Sequence, residues 1–299
     1  MSSDQDHFAA YSFVDRIDEF TAGRHARGMF AIPRDLASFP SCFVAEAVGQ
    51  LAAWVAMDRI DFRGRPVAAL ATETLFHSDA RPGETLILEV DILECDDEAV
   101  AYNGRASVGG RPVVELKDCL GPMLPVADFD SPDALRERLA LLRAAGAPPG
   151  RFHGVERIPV SVTQRVPGSL LRATLEVPRT APFFGDHFPR RPVFPATLLL
   201  DLQLALALDL ARSAAALHGA APRPTRVTHV KMRSFIEPGQ KLDIGVEIAP
   251  LDDAAVRAML TARTGDKLVA SARLEIAATR AGERDAEIAS PQAVHGSAG

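Results

Sequence analysis

The sequence predicts an α+β chain made of two copies of one unit, each an antiparallel sheet around a single apolar helix. Three observations predict it: two segments that match at a fixed distance, a Pro-Gly pair before an alternating run in each half, and one long apolar stretch per half. At 299 residues the chain has room for two domains of ordinary size.

The first match joins the two apolar stretches. Residues Phe39–Leu51 read FPSCFVAEAVGQL and residues Phe194–Leu204 read FPATLLLDLQL. Each begins with Phe-Pro, continues with two small or polar residues and an apolar run, and has a carboxylate six residues after the proline. These carboxylates are Glu46 and Asp201, which lie 155 residues apart. We expect each stretch to form a buried helix opened by its proline.

The second match lies in the segments that follow. The Pro-Gly pairs at 82–83 and 238–239 are separated by 156 residues. Each precedes an alternating run, Leu86–Val90 and Leu242–Val246, which is typical of a strand after a turn. Because the two offsets nearly agree, we expect a duplication in which each half has a strand, one apolar helix and several antiparallel strands.

A segment with helix-start residues, Ser131–Asp133, and a boundary at Gly146–Gly150 separate the two copies. The expected domains are a first unit over 1–127, a helical linker over 128–152, a second unit over 153–279 and a flexible tail over 280–299.

The composition excludes several classes of function. The net charge of −6 offers no basic field for nucleic acid. The three cysteines, Cys42, Cys95 and Cys119, have neither zinc-site nor disulfide spacing, so we expect free thiols, no metal and no cofactor. The start of the chain is polar and the apolar stretch 193–217 is interrupted by charges, so we expect no signal peptide, no membrane span and a cytoplasmic protein.

The most specific segment is Phe183–Pro195, which reads FFGDHFPRRPVFP. It resembles the signature FFxxHFPxxPVxP of the 3-hydroxyacyl-carrier-protein dehydratases of bacterial fatty acid synthesis, in which a helix bearing Glu or Asp follows. His187 precedes Asp201 by 14 residues, the spacing of that family. Phe13–Ile17 and Val230–Arg233 resemble two of its strands. The resemblance implies the hotdog fold in each copy, hence a double hotdog, and dehydration of 3-hydroxyacyl thioesters.

The residue types suit this reaction. A neutral histidine, with an ordinary pKa of about 6.5, can remove the proton beside the thioester carbonyl. A carboxyl in an apolar helix can stay protonated and donate to the departing hydroxyl. The N–H of Ala196, where the family has glycine, can stabilise the enolate at a helix N-terminus.

The resemblance also implies that the histidine and the carboxylate come from different hotdogs. His187 is then expected to act with Glu46, and Gln50 lies one helical turn after Glu46, as in the family. Fourteen residues before Glu46 stands Ile32, so a second site would have no histidine. Asp201 is therefore expected to be a relic or a structural acid, and it stays a candidate catalytic residue.

The candidate substrate-binding residues are Arg190, Arg191, Phe194 and Pro195. The arginines, with Lys231 and Arg233, have the charge to bind the phosphate of a phosphopantetheine arm or an acidic carrier protein. The expected partner is an acyl carrier protein or a coenzyme A thioester, and pairing of two double hotdogs into a homodimer is a further expectation.

Three other functions remain open from the sequence. Thioester hydrolysis on a double hotdog would rely on a helix carboxylate, although hotdog thioesterases generally lack the histidine motif. Acyl transfer or decarboxylation would leave His187 incidental. A non-catalytic acyl-binding protein would explain the missing first-half histidine.

Overall fold

The computed structural model describes residues 7–67, 70–217 and 220–279. The first half comprises β1 (Arg16–Thr21), β2 (His25–Ala31), α1 (Ser41–Arg59), β3 (Gly64–Pro66), β4 (Leu70–Phe76), β5 (Thr85–Cys95), β6 (Ala99–Val108) and β7 (Arg111–Pro125). Helix α2 (Pro132–Arg143) follows, inside the segment predicted as a linker. The second half comprises β8 (Val160–Val166), β9 (Leu170–Glu176), α3 (Ala196–Ala211), β10 (Pro222–Met232), β11 (Lys241–Asp252), β12 (Ala255–Thr264) and β13 (Lys267–Ala278). The predicted tail, 280–299, lies outside the described residues.

The strands form one continuous antiparallel sheet in the order β1-β2-β5-β6-β7-β4-β10-β13-β12-β11-β9-β8, with β3 paired to β7. This order has the same pattern from either end, and the halves join through the equivalent strands β4 and β10. The duplication predicted from the offsets therefore appears as a pseudo-twofold relation between the halves, and the double hotdog is confirmed.

The two Pro-Gly turns have the same conformation. Gly83 and Gly239 have φ angles of +88° and +79°. In each turn the following amide donates to the carbonyl three residues back, from Glu84 to Arg81 at 3.0 Å and from Gln240 to Glu237 at 3.2 Å. A glycine is needed because only glycine adopts this left-handed conformation without cost.

Helices α1 and α3 lie against the sheet and contact each other. Both begin directly after a proline, Pro40 and Pro195, as the sequence predicts. Because both are apolar on nearly all sides, most of their surface is buried between sheet and neighbouring helix. Glu46 of α1 and Thr197 of α3 lie at the contact between the two helices, where they bond each other. None of the described helices is both long and apolar enough to cross a membrane.

Helix α2 packs against β1 of the first half. The Ser131 hydroxyl accepts from the Ala134 amide at 3.4 Å and Pro132 occupies the first turn, as the helix-start pattern predicts. Its buried face carries Leu135, Leu139 and Leu142.

Two details of the sequence prediction were wrong. Each half has two strands, rather than one, before its apolar helix. The segment Phe13–Asp15 lies before β1, which begins at Arg16. The Phe13 amide donates to the Gln50 side chain rather than to a neighbouring strand, whereas the Asp15 amide donates to the Met29 carbonyl of β2 at 2.8 Å, so regular pairing begins only there.

Candidate active site

The histidine motif forms a tight loop before α3. A 3₁₀ turn over Pro182–Gly185 leads to His187, whose amide donates to the carbonyl of Phe183 at 2.9 Å. The Val193 amide donates back to the His187 carbonyl at 3.1 Å. The loop is therefore closed on itself and fixes the backbone of His187.

The ring of His187 has one defined tautomer. Nδ1 lies 3.0 Å from the carbonyl oxygen of Val193, which can only accept, so Nδ1 carries the proton. The lone pair is then on Nε2. Burial lowers the pKa of His187, although the charge of Glu46 and the Val193 carbonyl act in the opposite direction. The ring is thus held neutral at neutral pH, with Nε2 ready to accept a proton.

Glu46 lies in the second turn of α1 and is held at both carboxylate oxygens. Gln50 Nε2 donates to Oε1 at 3.0 Å. The Thr197 hydroxyl, from the start of α3, donates to Oε2 at 2.7 Å. One donor comes from its own helix and the other from the opposite half, so the carboxylate position depends on the contact between α1 and α3.

Gln50 also joins the N-terminal segment, residues 8–13, to α1. Its Nε2 donates to the Tyr11 carbonyl at 2.8 Å, and its Oε1 accepts from the Phe13 amide at 2.7 Å. Every polar atom of the Gln50 amide therefore has a partner.

Asp186, next to His187, binds the same N-terminal segment. Its carboxylate accepts from the amides of Phe8, Ala10 at 2.9 Å and Tyr11 at 2.7 Å, and from the Ser12 hydroxyl at 3.0 Å. A short loop and the chain start are thus joined by one buried carboxylate.

A cluster of buried charged side chains lies next to Asp186. Arg65 bonds Asp130 at 2.7 Å and stacks over the Phe188 ring at 4.3 Å. His7 lies 3.4 Å from Asp130 and 3.5 Å from Asp186. Burial alone would lower the pKa of His7, but the hydrogen bonds and charges of the two aspartates raise it to about 9.

These elements surround a cavity of about 430 Å³ at the contact between the halves. Its lining includes Glu46 and Gln50 from the first half, and His187, Phe194 and Ala196 from the second. Ala196 is the first residue of α3, where the amide has no partner within the helix.

Four of the predicted site residues are not part of the cavity lining. Its lining does not include Asp201, Arg190, Arg191 or Pro195. Arg190 donates to the Ala127 carbonyl at 3.0 Å, and Arg191 stacks over Phe235, 4.9 Å from the ring centroid. Burial raises the pKa of Asp201 to about 6.

The position equivalent to His187 in the first half is part of the core. Ile32 is buried, and its amide and carbonyl bond Glu84 and Gly83 at 2.9 Å each. Phe13, Phe39, Phe43 and Phe152 pack their rings together nearby in the first-half core.

Sequence reasoning missed several site residues. Thr197 and Asp186 stand beside recognised motif residues, and that position was the available signal. Tyr11 and Arg65 carried no local signal, because each meets the site only through long-range folding. Among the described residues, no group of three or more His, Cys, Asp or Glu side chains is arranged to hold a metal ion.

Solved structures resemble this fold over nearly their whole length. A tesB protein of Mycobacterium avium subspecies paratuberculosis superposes with a TM-score of 0.56 at 14% identity, covering 88% of this chain and 96% of that one. A hot dog fold protein of Alicyclobacillus acidocaldarius superposes with a TM-score of 0.52 at 13% identity, covering 91% and 97%. At these identities the likeness shows the fold.

Sequence relatives are more specific. A family profile described as ApeI dehydratase (ApeI-like) matches residues 163–272, which contain His187. The 3-hydroxyacyl-[acyl-carrier-protein] dehydratase FabZ of Thioalkalivibrio sulfidiphilus is 31% identical over 119 residues, 38% of this chain and 80% of that protein. The FabZ of Desulforamulus reducens is 30% identical over 96 residues, 32% and 68% of the two chains. The chain therefore belongs to the family of hotdog dehydratases that includes 3-hydroxyacyl-[acyl-carrier-protein] dehydratase FabZ.

Proposed function

We propose that the protein interconverts 3-hydroxyacyl and 2-enoyl thioesters at one site between its two hotdogs. The observation that carries the proposal is that a neutral His187 and the anchored Glu46 line one cavity from opposite halves. In dehydration the C2–H and C3–O bonds break, the C2=C3 double bond forms and water leaves.

His187 Nε2 is the base. It takes the C2 proton, which the thioester carbonyl makes acidic, because Nδ1 is already committed to the Val193 carbonyl. The positive charge that the ring gains is stabilised by the negative charge that Glu46 acquires when it gives up its own proton.

Glu46 is the acid. It gives its proton to the 3-hydroxyl, which departs as water. Gln50 occupies one lone-pair position on Oε1 of Glu46, and Thr197 occupies one on Oε2. Each oxygen therefore keeps a further lone-pair position for the proton that faces the substrate.

The Ala196 amide is the oxyanion donor. It lies at the N-terminus of α3, where the helix dipole adds to the hydrogen bond on the enolate oxygen. A backbone donor performs this role whether the residue is glycine or alanine, provided that the amide faces the cavity.

The thioester carrier is proposed to be a phosphopantetheine arm. Arg233 lines the cavity and Arg191 stacks on Phe235, which also lines it. Arg190, Arg191 and Arg233 are exposed, which suits an acyl carrier protein or coenzyme A, whereas Lys231 alternates with the cavity-lining Val230 and Met232 along β10 and faces away from them. Equal kcat/KM for carrier-protein and coenzyme A substrates would exclude docking of the carrier protein itself.

The test follows the absorbance of a short 2-enoyl thioester as the purified protein hydrates it, with thiol release measured in parallel. We expect hydration without thiol release. His187→Ala is expected to lose about 10²- to 10⁴-fold in kcat, whereas His153→Ala, at an exposed histidine, keeps the wild-type rate. Thiol release as the main product would identify a thioesterase, and acyl binding without turnover would identify a binding protein.

A further inference from the structure

We propose that Tyr11 and Thr197 are positioning residues, whose two hydroxyls form a hydrogen-bonded chain that orients the Glu46 carboxylate and stabilises the charge it gains when it gives up its proton. The inference deepens the proposed function, since it concerns the acid of that same site. It rests on the Tyr11–Thr197–Glu46 geometry.

Thr197 is placed to act on Glu46 from the opposite half. It follows Ala196 in the first turn of α3, and its Oγ1 lies 2.7 Å from Glu46 Oε2. The residue beside the proposed oxyanion donor therefore also bonds the proposed acid. Any shift of α3 relative to α1 would change both functions together.

The direction of the chain follows from the donors available. An ionised carboxylate only accepts, so the single hydroxyl hydrogen of Thr197 points to Glu46. Thr197 Oγ1 then accepts from the Tyr11 hydroxyl, 2.8 Å away. Burial and the charge of Glu46 raise the pKa of Tyr11 well above its ordinary value, so this hydroxyl keeps its proton and remains a donor.

Tyr11 is itself held rigidly. Its amide donates to Asp186, its carbonyl accepts from Gln50, and its ring meets the His187 ring edge-on with the centroids 6.0 Å apart. One fully buried side chain thus contacts both the base and the residue that anchors the acid. A donor fixed in this way orients Glu46 without loss of side-chain entropy on substrate binding.

The pseudo-symmetric counterpart of the site, formed by the other end of the contact between α1 and α3, lacks this arrangement. Cys42 occupies the position equivalent to Thr197, two residues after the matching proline, and Asp201 that equivalent to Glu46. Burial, followed by the charge of Asp201, raises the pKa of the Cys42 thiol well above its ordinary value. Because a thiol is a weak donor, the strong hydroxyl anchor is present only beside His187.

The kinetic test compares Thr197→Val, Thr197→Ser and Tyr11→Phe, with Thr225→Val as the matched control away from the cavity lining. We expect Thr197→Val to lower kcat about 10- to 100-fold at unchanged KM, the loss of one hydrogen bond to a charged group. One limb of its pH–rate profile moves to higher pH, because the lost donor had favoured the ionised carboxylate. Thr197→Ser restores both, and Tyr11→Phe gives a smaller effect in the same direction.

A second measurement is independent of turnover. In protein labelled with ¹³C at the glutamate carboxyls, the Glu46 resonance is identified by its loss in Glu46→Gln, and its titration midpoint is expected to be higher in Thr197→Val than in wild type. An unmoved midpoint, or wild-type kcat and pH profile in folded Thr197→Val, would overturn the inference. An inactive wild type with a moved midpoint would instead refute only the proposed reaction.

Discussion

At the scale of single residues, the site depends on which atoms are already occupied. Nδ1 of His187 donates its hydrogen bond to the Val193 carbonyl, which leaves the lone pair on Nε2. Gln50 and Thr197 hold the two oxygens of Glu46. Each proposed role therefore follows from a hydrogen bond made elsewhere on the same side chain.

The lowered pKa of His187 gives the first prediction. Protonation of the ring removes the base, so kcat/KM is expected to rise with pH and to reach half its plateau below pH 6.5, the ordinary value for histidine. The pH–rate profile of dehydration, followed by the growth of enoyl absorbance from a 3-hydroxyacyl thioester, checks this, with the exposed His153→Ala as the control that keeps the same profile. A half-plateau point at or above the ordinary histidine value would contradict it.

At the scale of elements, the N-terminal segment acts as a strap across both catalytic regions. Gln50 of α1 and Asp186 of the histidine loop both bond its backbone. The strap therefore couples the position of α1 to that of the loop. Among the described residues, Glu46 and His187 make no direct hydrogen bond with each other.

The strap predicts a large effect of Asp186→Asn. The Asp186 side chain is 2% exposed, and the groups that bond its carboxylate are hydrogen-bond donors. The NH₂ group of an asparagine side chain would therefore point at one of these donors. We expect the free energy of unfolding in urea to fall by about 2–4 kcal/mol. Asp133→Asn, at an aspartate that is 89% exposed, is the control and is expected to change it by less than about 0.5 kcal/mol. Equal effects would remove the structural role of Asp186.

The raised pKa of His7 predicts how stability depends on pH. Since its folded pKa, about 9, exceeds the unfolded value, its contribution is full below about pH 6.5 and is lost as pH rises through 9. Wild type is therefore expected to lose more stability between pH 7 and 9 than His7→Gln does, whereas His153→Gln follows wild type. Parallel curves for wild type and His7→Gln would contradict this.

At the scale of the whole molecule, the sheet order repeats from both ends, whereas the proposed catalytic residues form one site only. The equivalent of His187 is the buried Ile32, and the equivalent of Thr197 is Cys42. The duplication supplies two surfaces for one cavity, and each half contributes residues that the other lacks.

The sequence predicted those parts of this arrangement that depend on local patterns or on repetition. The offset between Glu46 and Asp201 predicted the paired helices, and the Pro-Gly pairs predicted the turns before β5 and β11. Tyr11 and Arg65 could not be predicted, because their contacts join segments distant in sequence through the folded core. The placement of Arg190 was also missed: a charged side chain gives no indication of which backbone carbonyl it will find.

The central claim is that one site uses His187 with Glu46 across the two halves, and not with Asp201 of its own half. The most direct measurement is kcat for enoyl hydration by Glu46→Gln and Asp201→Asn, each shown to be folded by thermal denaturation. We predict that Glu46→Gln loses at least about 100-fold and that Asp201→Asn stays within about threefold of wild type. An inactive Asp201→Asn beside an active Glu46→Gln would contradict the cross-half site.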